Sequence, residues 1–125
     1  MSFIVALLLV SSFASSQSIQ GAWKNNLGSV AYFTETGNTT FSGEYNSAVG
    51  KAMGNYSLIG KISPDLSVIS WTVLWQNGIL DTNSMTSWVG LYTKDFIITT
   101  YLEVTGSLPS WRATTVGQNL FYRLG

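Results

Sequence analysis

The side chains with chemical capacity in this 125-residue sequence are mostly uncharged. It contains no histidine and no cysteine, so metal sites of the usual ligand types, thiol nucleophiles and histidine-based proton relays have nothing to be built from. What recurs instead is Trp, Tyr, Ser, Thr and Asn at alternate positions. On one face of successive extended segments fall Trp23, Asn25 and Leu27, then Ser29, Ala31 and Phe33, then Tyr45 and Ser47. Trp71, Trp75, Ser84, Thr86, Trp88, Tyr101 and Asn119 continue the set. The chemistry open to such a face is hydrogen bonding between aromatic walls, with no ionised group until Glu103. A buried hydroxyl or amide without a partner costs about 1–3 kcal/mol. Such groups converging in one interior either satisfy one another, with buried water, or await a ligand. With Glu103 the sole carboxylate placed near the face, paired acid–base catalysis lacks its second member, and no enzyme is expected.

Those groups must be held by strands, because their period is two. In Ser67–Trp75, Ile69, Trp71, Val73 and Trp75 share one side; in Ser84–Tyr92, Ser84, Thr86, Trp88, Gly90 and Tyr92 do. Phe96–Val104 is rich in β-branched and aromatic residues, and Trp111–Tyr122 alternates again. Turn signals separate these runs at Leu27-Gly28, Thr36-Gly37-Asn38, Ser63-Pro64-Asp65, Asn77-Gly78, Lys94-Asp95 and 106–110. The expectation is an all-β domain of eight strands near 21–27, 29–36, 39–46, 55–63, 67–76, 84–93, 95–104 and 111–123. Short links make the order an antiparallel meander, which can close as an up-and-down β-barrel able to hold one small ligand.

Composition narrows the setting. Six basic residues balance six acidic ones, leaving no basic stripe for nucleic acid. Phe3–Val10 is an unbroken apolar run, followed by Ser11, Ser12, Ala14, Ser15 and Ser16. It is too short for the roughly 20 residues that span a bilayer, and it matches a secretory leader cleaved after a small-x-small site. The expected organisation is a signal peptide over 1–16 and one barrel domain over 17–125, secreted and with no membrane partner.

Five blocks, in order, carry a resemblance. Gly21-Ala22-Trp23-Lys24-Asn25-Asn26-Leu27-Gly28-Ser29 is similar to the opening G-x-W-x-N-x-L-G-S of the avidin/streptavidin family. Residues 43–50 resemble its G-x-Y-x-S-A-V-G, 71–77 its W-T-V-x-W-x-N, 84–92 its S-x-T-x-W-x-G-x-Y, and 111–121 its closing W-x-x-T-x-V-G-x-[DN]-x-F. The resemblance implies an eight-stranded barrel that binds biotin without a cofactor, as a homo-oligomer, a tetramer in preference to a dimer. It implies that Asn25, Ser29 and Tyr45 donate to the ureido oxygen of biotin, and that Ser47 and Asn119 accept from its N–H groups. Thr86 would meet the thioether sulfur, and Ser84 with Val49, Gly50 and Lys51 the tail carboxylate. Trp75, Trp88 and Leu27 would wall the bicycle, and Trp111 would reach into a neighbouring subunit's site.

The sequence also departs from the pattern. Tyr101 stands where the family usually has a pocket Trp, and Glu103 where an apolar residue lines the rim. Glu103 either points inward near the tail, or sits in solvent at the mouth, or yields its place to Val104 through a bulge. Lys51 replaces an uncharged residue. On the opposite face, Met85, Val89, Leu91, Leu102, Val104, Val116 and Leu120 are expected to point outward as an assembly surface. The leading expectation is a secreted biotin binder that sequesters or stores the vitamin. The alternatives are a barrel for a different small apolar ligand, or a structural protein with a weakened biotin site.

Overall fold

The structure, a computed structural model, describes residues 18–124. The expected leader lies outside the described residues. Eight strands run in chain order: β1 Gly21–Asn25, β2 Val30–Glu35, β3 Thr40–Asn46, β4 Asn55–Ile62, β5 Val68–Leu74, β6 Ser84–Tyr92, β7 Phe96–Thr105 and β8 Thr114–Arg123. Each pairs antiparallel with the next, and β8 returns to β1 through Trp23 opposite Arg123 and Asn25 opposite Phe121, so the meander closes as a barrel. Closure leaves no strand edge unpaired.

Alternation decides what each strand buries. Ile69, Trp71 and Val73 of β5 are buried between half-exposed or exposed neighbours, and Ser84, Thr86, Trp88 and Tyr92 of β6 are buried likewise. The outward parity of β6, β7 and β8 is largely apolar, interrupted by Ser87, Thr100, Thr114 and Gln118: Met85, Val89, Leu91, Leu102, Val104, Val116 and Leu120 are all exposed. Register sets them side by side, Met85 opposite Val104 and Leu102 opposite Val116.

Three strand ends differ from the sequence expectation by two residues or more. β1 stops at Asn25 because its side chain turns the chain, Oδ1 accepting from the N–H groups of Leu27 and Ser29 at 2.9 Å each. Gly28, at φ +95°, supplies the left-handed step in that turn. β5 stops at Leu74, where Gln76 N–H folds back to the Leu74 carbonyl at 2.7 Å. β8 begins at Thr114 rather than 111: Ser110–Arg112 form a 3-10 turn, Arg112 N–H reaching the Pro109 carbonyl at 3.0 Å. Proline starts such a turn readily, since its φ is preset and it has no N–H to place.

One end of the barrel is solid. Trp71 packs edge-on to Phe33 (5.0 Å between centroids) and Phe121 (5.1 Å) and stacks on Trp88 at 5.5 Å. Below them Trp23 Nε1 donates to the Ile19 carbonyl at 2.8 Å, and the Arg123 guanidinium lies 4.3 Å over the Trp23 ring. Arg123 Nη2 also donates to the Ser18 carbonyl and to Tyr92 Oη, tying the segment before β1 across the floor.

Candidate functional site

The other end is hollow. The loops after β1, β3 and β5 surround a cavity of about 240 Å³. All fourteen site residues expected within one chain line it: Asn25, Leu27, Ser29, Tyr45, Ser47, Val49, Gly50, Lys51, Trp75, Ser84, Thr86, Trp88, Tyr101 and Asn119. Five further residues share the lining: Glu103, Ala52, Tyr56, Leu80 and Thr82. Burial grades along the site. Asn25, Ser29, Tyr45, Thr86 and Asn119 are buried, whereas Leu27 at 52% and Val49 at 47% form an exposed rim.

The hydrogen bonds among the buried groups fix their directions. Asn25 spends Oδ1 on the β1–β2 turn, so its amide nitrogen is left to face Tyr45 Oη at 3.3 Å. Ala48 N–H donates to Ser29 Oγ at 2.9 Å, which leaves the Ser29 hydroxyl proton to be given elsewhere. Burial pushes the Tyr45 phenol well above its ordinary pKa, against the opposing effect of its hydrogen bond with Ser29. Tyr45 is therefore a neutral donor throughout the physiological range. Asn25, Ser29 and Tyr45 thus form one hydrogen-bonded cluster, with Tyr45 Oη meeting both the Asn25 amide and the Ser29 hydroxyl.

Acceptors are fixed on the neighbouring strands. Asn119 Oδ1 accepts from Trp88 Nε1 at 3.0 Å and retains a second lone pair. Ser47 Oγ donates to the Val49 carbonyl at 2.9 Å and accepts from the Val49 N–H at 3.3 Å, which leaves it one further lone pair. Trp75 Nε1 donates to Thr86 Oγ1 at 2.8 Å, locking the indole and leaving the threonine hydroxyl proton for another acceptor. Ser84 Oγ shares a hydrogen bond with Thr82 Oγ1.

Aromatic rings enclose these groups. Tyr45 stacks on Trp88 at 4.7 Å and meets Trp75 edge-on at 5.8 Å, while Tyr56 packs against Trp75 at 5.0 Å. Tyr56 Oη donates to the Leu80 carbonyl and accepts from Met53 N–H, joining two rim loops. Asn77 Nδ2 binds the Met53 carbonyl at 2.6 Å, and Asp81 Oδ1 accepts from the N–H groups of Asn77 and Gly78. The mouth is thereby stitched in place, as a site formed in advance of its ligand requires.

One expectation is corrected in detail, and one left open is decided. Trp23, Ala31, Phe33 and Trp71 share the inward face but belong to the solid end, not to the cavity. Glu103 points inward: β7 pairs without a bulge, Glu103 opposite Thr86 and Thr115, and Val104 is exposed on the outside. Burial raises the pKa of its carboxyl above the usual carboxylate range. The Tyr101 ring lies across Gly117, where an added Cβ would sit 2.4 Å from the ring, so glycine is what admits an aromatic side chain there. Trp111 takes no part in this chain's cavity and is 81% exposed on the 3-10 turn. Tyr56 was legible as an inward position of β4, opposite Tyr45; Ala52, Leu80 and Thr82 lie on loops with no period to reveal them.

An eight-stranded meander with a packed floor, a polar cluster walled by aromatic rings and a pre-stitched mouth agrees with the match of the avidin family model to residues 13–124: the chain belongs to the avidin family.

Proposed function

We propose that the protein is a secreted, non-enzymatic biotin binder. The observation that carries this reading is the convergence of Asn25, Ser29 and Tyr45, whose donor groups share one buried corner and bond to one another until a stronger acceptor arrives, beside the remaining lone pairs of Ser47 and Asn119. That is the complement of a urea, which has one oxygen to receive three donors and two N–H groups to give. Each such bond contributes only about 0.5–1.5 kcal/mol, but donors held still in a cavity of low polarity lose little freedom on binding and reinforce one another.

The remaining roles follow the ligand outward. Trp75, Trp88, Tyr101 and Leu27 wall the apolar bicycle, the Thr86 hydroxyl meets the thioether, and Ser84 with the Val49-Gly50-Lys51 loop receives the tail. The sequence lacks His and Cys, and the cavity offers one carboxylate, which supports binding without turnover. Assembly as a tetramer is supported by the exposed apolar stripe on β6–β8 and by Trp111, an indole far too exposed to be settled in a lone chain. A second copy would cover the stripe and receive Trp111 at its own cavity. The apolar leader at Phe3–Val10 supports secretion.

Calorimetry with biotin is the test. The expected result is a saturable heat at one biotin per subunit and a rise in the unfolding temperature. No heat and no thermal shift at micromolar biotin would sink the reading.

A further inference from the structure

Among the described residues Glu103 is the one carboxylate lining the cavity. It enters from β7 between Thr86 and Thr115, and among the described residues it makes no hydrogen bond and no ion pair. Burial alone accounts for the rise in its pKa, as expected of an acid that faces a cavity with no partner. The other titratable groups of the lining are Tyr45, Tyr56, Tyr101 and Lys51. Of these only Lys51 carries the opposite charge, and it is exposed on the β3–β4 loop. A charge in water is screened, whereas one half withdrawn from it acts more strongly across the same distance. Glu103 is thus the less screened of the two charges in the lining.

We propose that Glu103 filters ligands by their tails: the site selects biotin whose side chain ends in an amide, as when it is joined to a lysine amine, over free biotin with its carboxylate. This rests on the biotin reading above. A head group held by the buried cluster sends its tail toward the open rim, past Ser84, Thr86 and Glu103. A free carboxylate arriving there meets a like charge, while an amide brings none and offers an N–H to an acceptor that has no donor. Discrimination of this kind arises from a repulsive element as much as from a new attraction.

The measurement is competitive calorimetry of biotin and biotin primary amide on the purified protein, Glu103→Gln and Glu103→Leu. Near neutral pH the unmodified protein is expected to bind the amide roughly tenfold more tightly than the acid, a size fitting two like charges in a partly screened site. In both variants the ratio should fall to about one or below. As pH falls and Glu103 takes up its proton, the acid should gain on the amide in the unmodified protein more than in Glu103→Gln. A ratio identical in all three proteins, with both ligands bound, overturns the filter and leaves the biotin reading standing. Binding of neither ligand by any of them overturns the biotin reading, and the filter with it.

Discussion

Trp71 and Trp75 stand four residues apart on the same face of the same stretch of chain, and they meet different fates. Trp71 is buried among Phe33, Phe121 and Trp88, and its Nε1 has no hydrogen-bond partner among the described residues. Trp75 is half exposed, its Nε1 is bound to Thr86, and its ring faces open space. In the solid end, ring packing outweighs an orphaned N–H costing about 1–3 kcal/mol. In the hollow end, polar satisfaction outweighs packing, and volume is left unfilled. The same strands thus supply a floor that holds the barrel together and a site that the floor makes affordable. The contrast predicts that stability and binding respond to different residues.

Its largest test is Trp71→Ala. Truncating a fully buried indole at the centre of the floor should cost about 3–5 kcal/mol, a large part of what a domain of this size possesses. Thermal or denaturant unfolding should show the loss even without ligand. A drop below about 1 kcal/mol would mean that the floor is not where the fold is held.

The hollow end answers to a smaller change. Tyr45→Phe keeps the ring that stacks on Trp88 and removes only the hydroxyl that meets Asn25 and Ser29. Biotin affinity should fall by about 1.5–3 kcal/mol, roughly 10- to 150-fold, as expected for losing a bond to a polarised oxygen. Unfolding without ligand should move by less than about 1 kcal/mol, because the Asn25 amide then faces a cavity that water can enter. If stability fell sharply while affinity held, Tyr45 would belong with the floor and the division would be misdrawn.

The division itself was the part that the sequence did not disclose. Alternation states which face a residue takes, and it placed Asn25, Ser29, Tyr45, Thr86, Trp88 and Asn119 on the inside, where they are. It says nothing of height along the barrel, which depends on strand tilt and stagger after closure. Trp23, Phe33 and Trp71 therefore read as site residues beside Trp75 and Trp88. Arg123 shares the inward parity of Asn119 and Phe121, yet a charge at the end of a strand gave no sign that it would cap Trp23. The rim positions Ala52, Leu80 and Thr82 lie on loops whose shape comes from Asn77 and Asp81, and no period points to them. Trp111, exposed on the 3-10 turn beside Arg112, finds its place only under the proposed assembly.

Glu103 gives the smallest test, because it belongs to neither regime: it is neither packed like Trp71 nor satisfied like Trp75. Burial raises its folded-state pKa above the unfolded value. Between those two values the folded chain holds the extra proton, so stability falls as pH rises through that window and is level above it. The deficit is thus absent in acid and complete near and above neutrality. Glu103→Gln, which cannot ionise, should stabilise the ligand-free protein by about 0.5 kcal/mol near pH 8, a modest figure because the group is half exposed and screened. Near pH 4, at or below the ordinary carboxylate pKa, the gain should vanish. Denaturant unfolding of both proteins at the two pH values reads the difference directly. An equal gain at both would assign the effect to packing, and no gain at either would mean that solvent already serves the carboxylate as well in the folded chain as in the unfolded one.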